Sequence, residues 1–385
     1  MKKIIFIFMT LIISAMLNKL PAQKLNYEKA GLPDPYEKHK FNAVQIDSLI
    51  EIIKSGKPAQ QRSAIFSIDI ADGGGYLELK EINKIVPNLI FLLNNTPIEQ
   101  PTYENNHNPL HALIIGCLGR LGDNKAADAV WEVFSNEQED TVSRRQALTV
   151  LGVFNDRRVE DAALVGLESN DWNLRRACIG VAGNLRSVRG IVPILNIMKE
   201  ITSFTKYPPE LSMAYGHVPA STALLISCRD ALVKIGTPAI PLLLNALNDP
   251  NIKYRHWAAL ALGLMKNPEY NETVGPALVE ILYTSGDEWI HERAVWLIGD
   301  LGYKEATPTL MELLKDKNKR KSCAAGIGEN LKRLGVKIER VTWKDKTGQW
   351  HAKYVIIDEK GVKTEIIEEQ ELPKEIPYKV APRNN

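Results

Sequence analysis

Apolar residues along most of this chain return at three- and four-residue spacing, the interval that gives an α-helix one face to bury. The stretch Asp287–Gly302, DEWIHERAVWLIGDLG, shows it best: an acidic start, charged residues in the second turn, then Ala294, Leu297, Ile298 and Gly299. The same phrase comes back upstream. With its Gly as position zero, Gly119, Gly152, Gly183, Gly236, Gly263 and Gly299 align. At −5 stand Ile114, Ala147, Cys178, Ala231, Ala258 and Ala294; at −1 stand Leu118, Leu151, Ala182, Ile235, Leu262 and Ile298. Positions −7 and −8 are mostly basic: Arg144-Arg145, Arg175-Arg176, Arg229 and Arg255-His256. Weaker copies start at Arg62 and at Lys321.

Small residues returning in register have a packing reason. A Gly inside a helix costs about 1 kcal/mol, and a larger side chain at a close helix contact overpacks it by about 1–3 kcal/mol. Between these helices lie amphipathic partners, Lys125–Phe134, Val188–Lys199, Pro238–Leu247, Glu269–Leu282 and Glu305–Leu314. The unit is helix A, turn, helix B, repeated about eight times.

The phrase R-x-A-x-x-x-L-G on the second helix of such a unit resembles HEAT-like repeats, most closely the short variety named after phycobilin lyases. Gly-to-Gly intervals of 33, 31, 53, 27 and 36 are mostly shorter than the ordinary HEAT period of about 40–47. The W-x-x-L-G-x-x-Y signature of tetratricopeptide arrays is missing. The resemblance covers residues 42–335 and implies an all-α, right-handed α-α superhelix. It says little about activity, because such arrays serve as scaffolds, adaptors and occasionally enzymes.

After Gly335 the period changes. Arg340–Trp343, Trp350–Ile357 and Val362–Glu368 are β-branched and aromatic and separated by Gly-containing turns, which predicts a small antiparallel β meander within residues 336–372. Alone it is too small to be stable, so it should cap the last repeat. Pro373, Pro377 and Pro382 make residues 373–385 an extended tail. At the other end, Lys2-Lys3, the apolar run Ile4–Leu17 and Ala22 form a signal peptide over residues 1–22, followed by an irregular lead-in over 23–41. The expected address is therefore outside the cytoplasm, in a bacterial periplasm or secreted, with no integral membrane span left after cleavage.

Cleavage would take the formal charge from +2 to −1, since Lys2, Lys3 and Lys19 leave and no acid does. Such a balance gives no general attraction for nucleic acid. Cys117, Cys178, Cys228 and Cys323 are far apart with no C-x-x-C, and suit small apolar fillers better than a metal ribbon.

Two stretches could carry function. Thr202–Ser221, TSFTKYPPELSMAYGHVPAS, and Thr96–Pro109, TPIEQPTYENNHNP, both interrupt an A-to-B connection. Loops at equivalent places in successive repeats leave the same edge, so Phe204, Tyr207, Tyr215, His217 and Tyr103 are the candidate residues for binding a protein or polymer. The other candidate is His291-Glu292. A His-Glu pair at the start of a HEAT-like helix resembles the iron-binding motif of deoxyhypusine hydroxylase, which uses several such pairs. Here the matching positions hold His111-Ala112, Arg144-Arg145, Arg175-Arg176, Cys228-Arg229 and Arg255-His256, too few ligands for two metals. Val295 stands where an H-E-x-x-H motif needs its second His. The basic ladder itself suits a structural role, with Asp140, Asp171, Asp249 and Asp287 capping the B helices. Gly326-Ile327-Gly328 lacks the last Gly of a phosphate-binding phrase, and Asp72–Gly75 lacks the Lys.

The expected function is an exported, non-enzymatic scaffold or adaptor with no cofactor, binding another protein or polymer through its concave face and loop rim. The alternative is a metal-dependent enzyme resembling HEAT-repeat iron hydroxylases, centred on His291, Glu292 and His256. Nothing in the pattern specifies an oligomeric state.

Overall fold

In a computed structural model of the chain, the glycine register acts as the spacing between neighbouring helices. The structure describes residues 43–73, 77, 79–99, 109–212, 214–215, 218–316, 324–344, 346, 350–357 and 361–369. The stretches expected to be a signal peptide (1–22), a lead-in (23–41) and a tail (373–385) lie outside them, as do Tyr103, His217 and Cys323.

Sixteen helices of seven or more residues form eight consecutive pairs among the described residues. The chain divides into two compact units, residues 1–238 and 239–385. The N-terminal unit holds α1 (Ala43–Ser55) with α2 (Pro58–Gly73), α3 (Leu79–Asn95) with α4 (Leu110–Leu121), α5 (Ala127–Ser135) with α6 (Thr141–Val153), α7 (Glu160–Gly166) with α8 (Trp172–Asn184), and α9 (Ile191–Ser203) with α10 (Ala220–Ile235). The C-terminal unit holds α11 (Ile240–Ala246) with α12 (Ile252–Met265), α13 (Asn271–Thr284) with α14 (Glu288–Leu301), and α15 (Thr307–Lys315) with α16 (Ala324–Arg333). Within each unit every B helix packs on its own A helix and on the next B helix. This is the HEAT-like stacking that the repeated phrase implies.

The B helices approach closely where the glycines lie. A methyl group on Gly119 would sit 2.6 Å from Val150, on Gly152 2.8 Å from Val181, and on Gly183 2.7 Å from the Ala231 backbone. In the C-terminal unit, Gly263 faces Leu297 and Gly299 faces Asn330. The −5 residues Ala147, Ala231, Ala258 and Ala294 are at most 2% exposed. Burial of small residues thus repays the helix propensity that each Gly forfeits.

The backbone gives a more accurate frame than the Leu-Gly phrase. Three residues after the ladder glycine the chain turns left-handed, at Gly122, Asn155, Arg186, Lys266 and Gly302, with φ between 48° and 72°. The turn lets Asp156, Ser187 and Tyr303 donate back to Leu151, Ala182 and Ile298, closing the helix end. Gly236 also has positive φ, 84°, and directly follows α10. It is therefore the turn residue of its repeat and not the ladder residue, which is Val233. The shift explains why Gly183 meets Ala231, two residues before Val233 as Val150 and Val181 precede Gly152 and Gly183.

Among the described residues, side-chain caps start four of the eight B helices. Asp140 accepts from the amides of Val142 and Ser143, Asp171 from Asn173 and Leu174, and Asp287 from Trp289 and Ile290, satisfying N–H groups that a first turn leaves without partners. In α12 the cap is Asn251, not the expected Asp249; Asp249 instead accepts from the Asn251 amide.

The insertion is shorter than its composition suggests, since Thr202 and Ser203 extend α9 and Ala220 and Ser221 open α10. Between them, a helical turn at Pro209–Ser212 and the two-residue strands β1 (Ala214–Tyr215) and β2 (Val218–Pro219) lie against α10. After α16, strands β3 (Ile338–Lys344), β4 (Trp350–Ile357) and β5 (Lys363–Glu369) form an antiparallel sheet in the order β3-β4-β5. β3 meets α16 and β5 meets α15. The Tyr354 ring lies over Gly328, where a methyl group would stand 2.3 Å away. The incomplete glycine phrase is thus a seat for the sheet.

Candidate functional site

The edge at which each A helix hands over to its B helix gathers most of the chain's polar chemistry. At position −8 the side chain reaches back to a carbonyl at, or up to three residues beyond, the end of the preceding A helix. Arg144 Nε donates to Phe134 O at 3.1 Å, Arg175 Nε to Leu167 O at 3.0 Å, and Arg255 Nη1 to Asp249 O at 2.9 Å. Carbonyls there lack helical partners, and the helix dipole favours a cation beside them. The basic ladder is a set of staples.

Two staples repeat a second contact. Arg175 pairs with Glu200 at 2.9 Å, and Arg255 with Glu280. In both cases the carboxylate lies on the next A helix, α9 or α13, so one guanidinium joins three elements. Its planar fork of five donors suits that work. Arg229 does not belong to the series: in the corrected frame Leu225 holds position −8 of α10, and Arg229 binds its neighbour Asp230.

In the second pair a histidine replaces the arginine. His111 Nε2 lies 3.0 Å from Thr96 O, just beyond α3, and Nδ1 lies 2.9 Å from Glu139 Oε2, in the turn before α6. The side chains are 7% and 2% exposed. Burial pushes the Glu139 carboxyl above its ordinary range, against the opposite pull of His111. Next to it Asp140 is 4% exposed, and its Oδ2 has no partner among the described residues.

The residues of the metal-dependent alternative, His291, Glu292 and His256, belong to no metal-holding group among the described residues. His291 is 3% exposed and occupies the staple position of α14, whereas Glu292 is exposed. His256 Nε2 is 2.9 Å from Thr284 Oγ1, and burial lowers its pKa, opposed by Glu280. Among the described residues no three His, Cys, Asp or Glu side chains are grouped to hold a metal ion. The metal-dependent alternative therefore has no ligand set there. Cys117, Cys178 and Cys228 are buried; burial raises the Cys178 thiol to about 12.

The aromatic candidates fare differently. Phe204 and Tyr207 come together edge to face, ring centres 6.1 Å apart, and Trp172 at the start of α8 extends the row, 6.3 Å from Phe204. Arg175 lies 4.5 Å over the Trp172 ring. All three rings are partly exposed. Tyr215 pairs by its backbone with Val218, while its side chain, His217 and Tyr103 lie outside the described residues. Trp172 was the missed member; directly after a capping Asp it looks like an ordinary first-turn residue. Glu139 was missed as well, since only folding brings it to His111.

A model of the PBS lyase HEAT-like repeat matches residues 290–316, most of α14 and α15. Deoxyhypusine hydroxylase of Gibberella zeae is 24% identical over 239 residues, 55% of this chain and 69% of that protein. Among solved structures, the complex of CpcE and CpcF of phycocyanin lyase from Nostoc sp. PCC7120 aligns over 78% of this chain and 99% of its own, with 16% identity and a TM-score of 0.35. Human deoxyhypusine hydroxylase in complex with glycerol aligns over 75% and 96%, with 13% identity and a TM-score of 0.27.

Proposed function

We propose that this HEAT-like repeat protein is an exported scaffold that holds another protein or a polymer along its A-to-B edge. The observation that carries the reading is the row Trp172, Phe204 and Tyr207, three partly exposed rings beside a stapled arginine. Such rings offer large rigid contact area at low cost in side-chain entropy, and aromatics and Arg are enriched at interface centres. The staples hold the row's base in place, so little ordering remains to be done on binding.

The test is affinity capture from an envelope extract with the full chain and with a Phe204→Ala, Tyr207→Ala double variant. The unaltered chain retains a specific partner and the double variant loses it, with unchanged helicity and melting. Equal capture by both overturns the rim as the binding surface. Export rests on Lys2-Lys3, the apolar run Ile4–Leu17 and Ala22. It is tested by sequencing the amino terminus of the mature protein, which should begin at Gln23. No described helix is long and apolar enough to cross a membrane.

A further inference from the structure

The His111–Glu139 contact has a chemical requirement that the arginine staples lack. Thr96 O can only accept a hydrogen bond, so Nε2 of His111 must carry a hydrogen to sit 3.0 Å from it. Nδ1 then faces a carboxylate oxygen at 2.9 Å. With Nδ1 bare and Glu139 ionised, two lone pairs would meet in a site nine-tenths closed to water, and nothing would hold them at that distance. One more proton resolves it. Either Nδ1–H donates to the carboxylate, or a protonated Glu139 donates to Nδ1; both arrangements hold the same number of protons and no net charge.

We infer that His111 and Glu139 share a single proton that clasps the second helix pair to the third, so that the N-terminal unit loses stability as pH rises. The clasp joins Thr96 at the end of α3, His111 on α4 and Glu139 before α6. The surrounding cations are already engaged, and beside Glu139 the Asp140 carboxylate keeps Oδ2 without a partner among the described residues. On the α2 side Arg62 pairs with Glu99, which also accepts from the Leu110 amide. On the α6 side Asp140 Oδ1 caps the helix and Arg144 is tied to Phe134 O. At the far end of α4, Arg120 pairs with Asp69. No cation among these groups contacts Glu139 in the proton's place.

The direction follows from proton counting. In the unfolded chain the histidine gives up its second proton near pH ~6.5 and the glutamate ionises near ~4.3. Above pH ~6.5 the folded pair therefore holds one proton that the unfolded chain lacks. Its contribution is fully present below that value and is lost as pH rises through the point where the folded pair releases the proton. Below ~4.3 the unfolded chain protonates Glu139 too, and the advantage shrinks again.

The experiment compares the full chain with its Glu139→Gln variant, whose amide can donate to a neutral Nδ1 and keep the clasp without the extra proton. Proton release on unfolding at pH 8, from the buffer dependence of the calorimetric enthalpy, should be one proton larger for the unaltered chain. The unfolding constant of the N-terminal unit should rise about tenfold more per pH unit than in the variant. Equal release and equal slopes overturn the proposal. If the variant fails to fold, nitrogen and carboxyl NMR signals of His111 and Glu139 in the unaltered chain decide: one proton between them at pH 7.5 supports the clasp, and a bare Nδ1 beside an ionised Glu139 overturns it.

Discussion

The edge of the second helix pair and that of the fourth solve one problem with different side chains. Both must satisfy a carbonyl at the end of an A helix and bind a carboxylate from a later element. At the fourth pair Arg175 does so with a permanent charge, a Glu200 partner that is 41% exposed and a Trp beneath it. At the second pair His111 does so inside the protein, against a Glu139 only 2% exposed. The arginine works at any ordinary pH, because its charge is not in question. The histidine works only with a proton to share, and burial makes failure expensive because water cannot replace the lost partner.

The largest effect should come from breaking the buried clasp. Glu139→Ala leaves His111 Nδ1 without its acceptor and should cost about 3–5 kcal/mol, measured by denaturant unfolding at pH 6. A loss below about 1 kcal/mol would place His111 among ordinary surface histidines. Next comes the spacing on which both edges depend. Gly152→Val puts a branched side chain 2.8 Å from Val181, and the cost should be about 3 kcal/mol, read from the melting temperature. Arg175→Met removes two charge-assisted bonds while keeping the stem and should cost about 2 kcal/mol. Its cost should be the same at pH 6 and pH 8; a cost that changes with pH would erase the contrast with His111. Smallest of all is the exposed pair Arg189–Asp161, 2.7 Å apart with side chains 66% and 83% exposed. Asp161→Asn should shift stability by no more than about 0.5 kcal/mol and less still in high salt.

Much of the fold is legible in the sequence because its causes are local and periodic. Ala147, Ala258 and Ala294 at −5 and the glycines at zero imply buried, closely spaced B helices, and Asp140, Asp171 and Asp287 imply where those helices start. Gly236 misled because a Leu-Gly-like pair marks either a ladder position or a C-terminal turn, and only φ tells them apart. The site was less legible. Phe204 and Tyr207 stand out by composition, but Trp172 lies in another helix and joins them only after α8 and α9 fold together.

The sequence by itself determined the helix-pair repeat, the caps, the glycine spacing and the change to β structure after Gly335. The helices and their caps depend on neighbours within a turn or two, and the glycine spacing returns in register along the chain, so residue order is enough to reveal both. Tertiary structure alone decided what those helices bring together. Glu139 is 28 residues from His111 and Glu200 is 25 from Arg175, and no periodicity distinguishes them from the solvated acids around them. Whether a charged side chain becomes a staple, a proton holder or a surface group is set by its distance from water and from its partner, and both exist only in the folded chain.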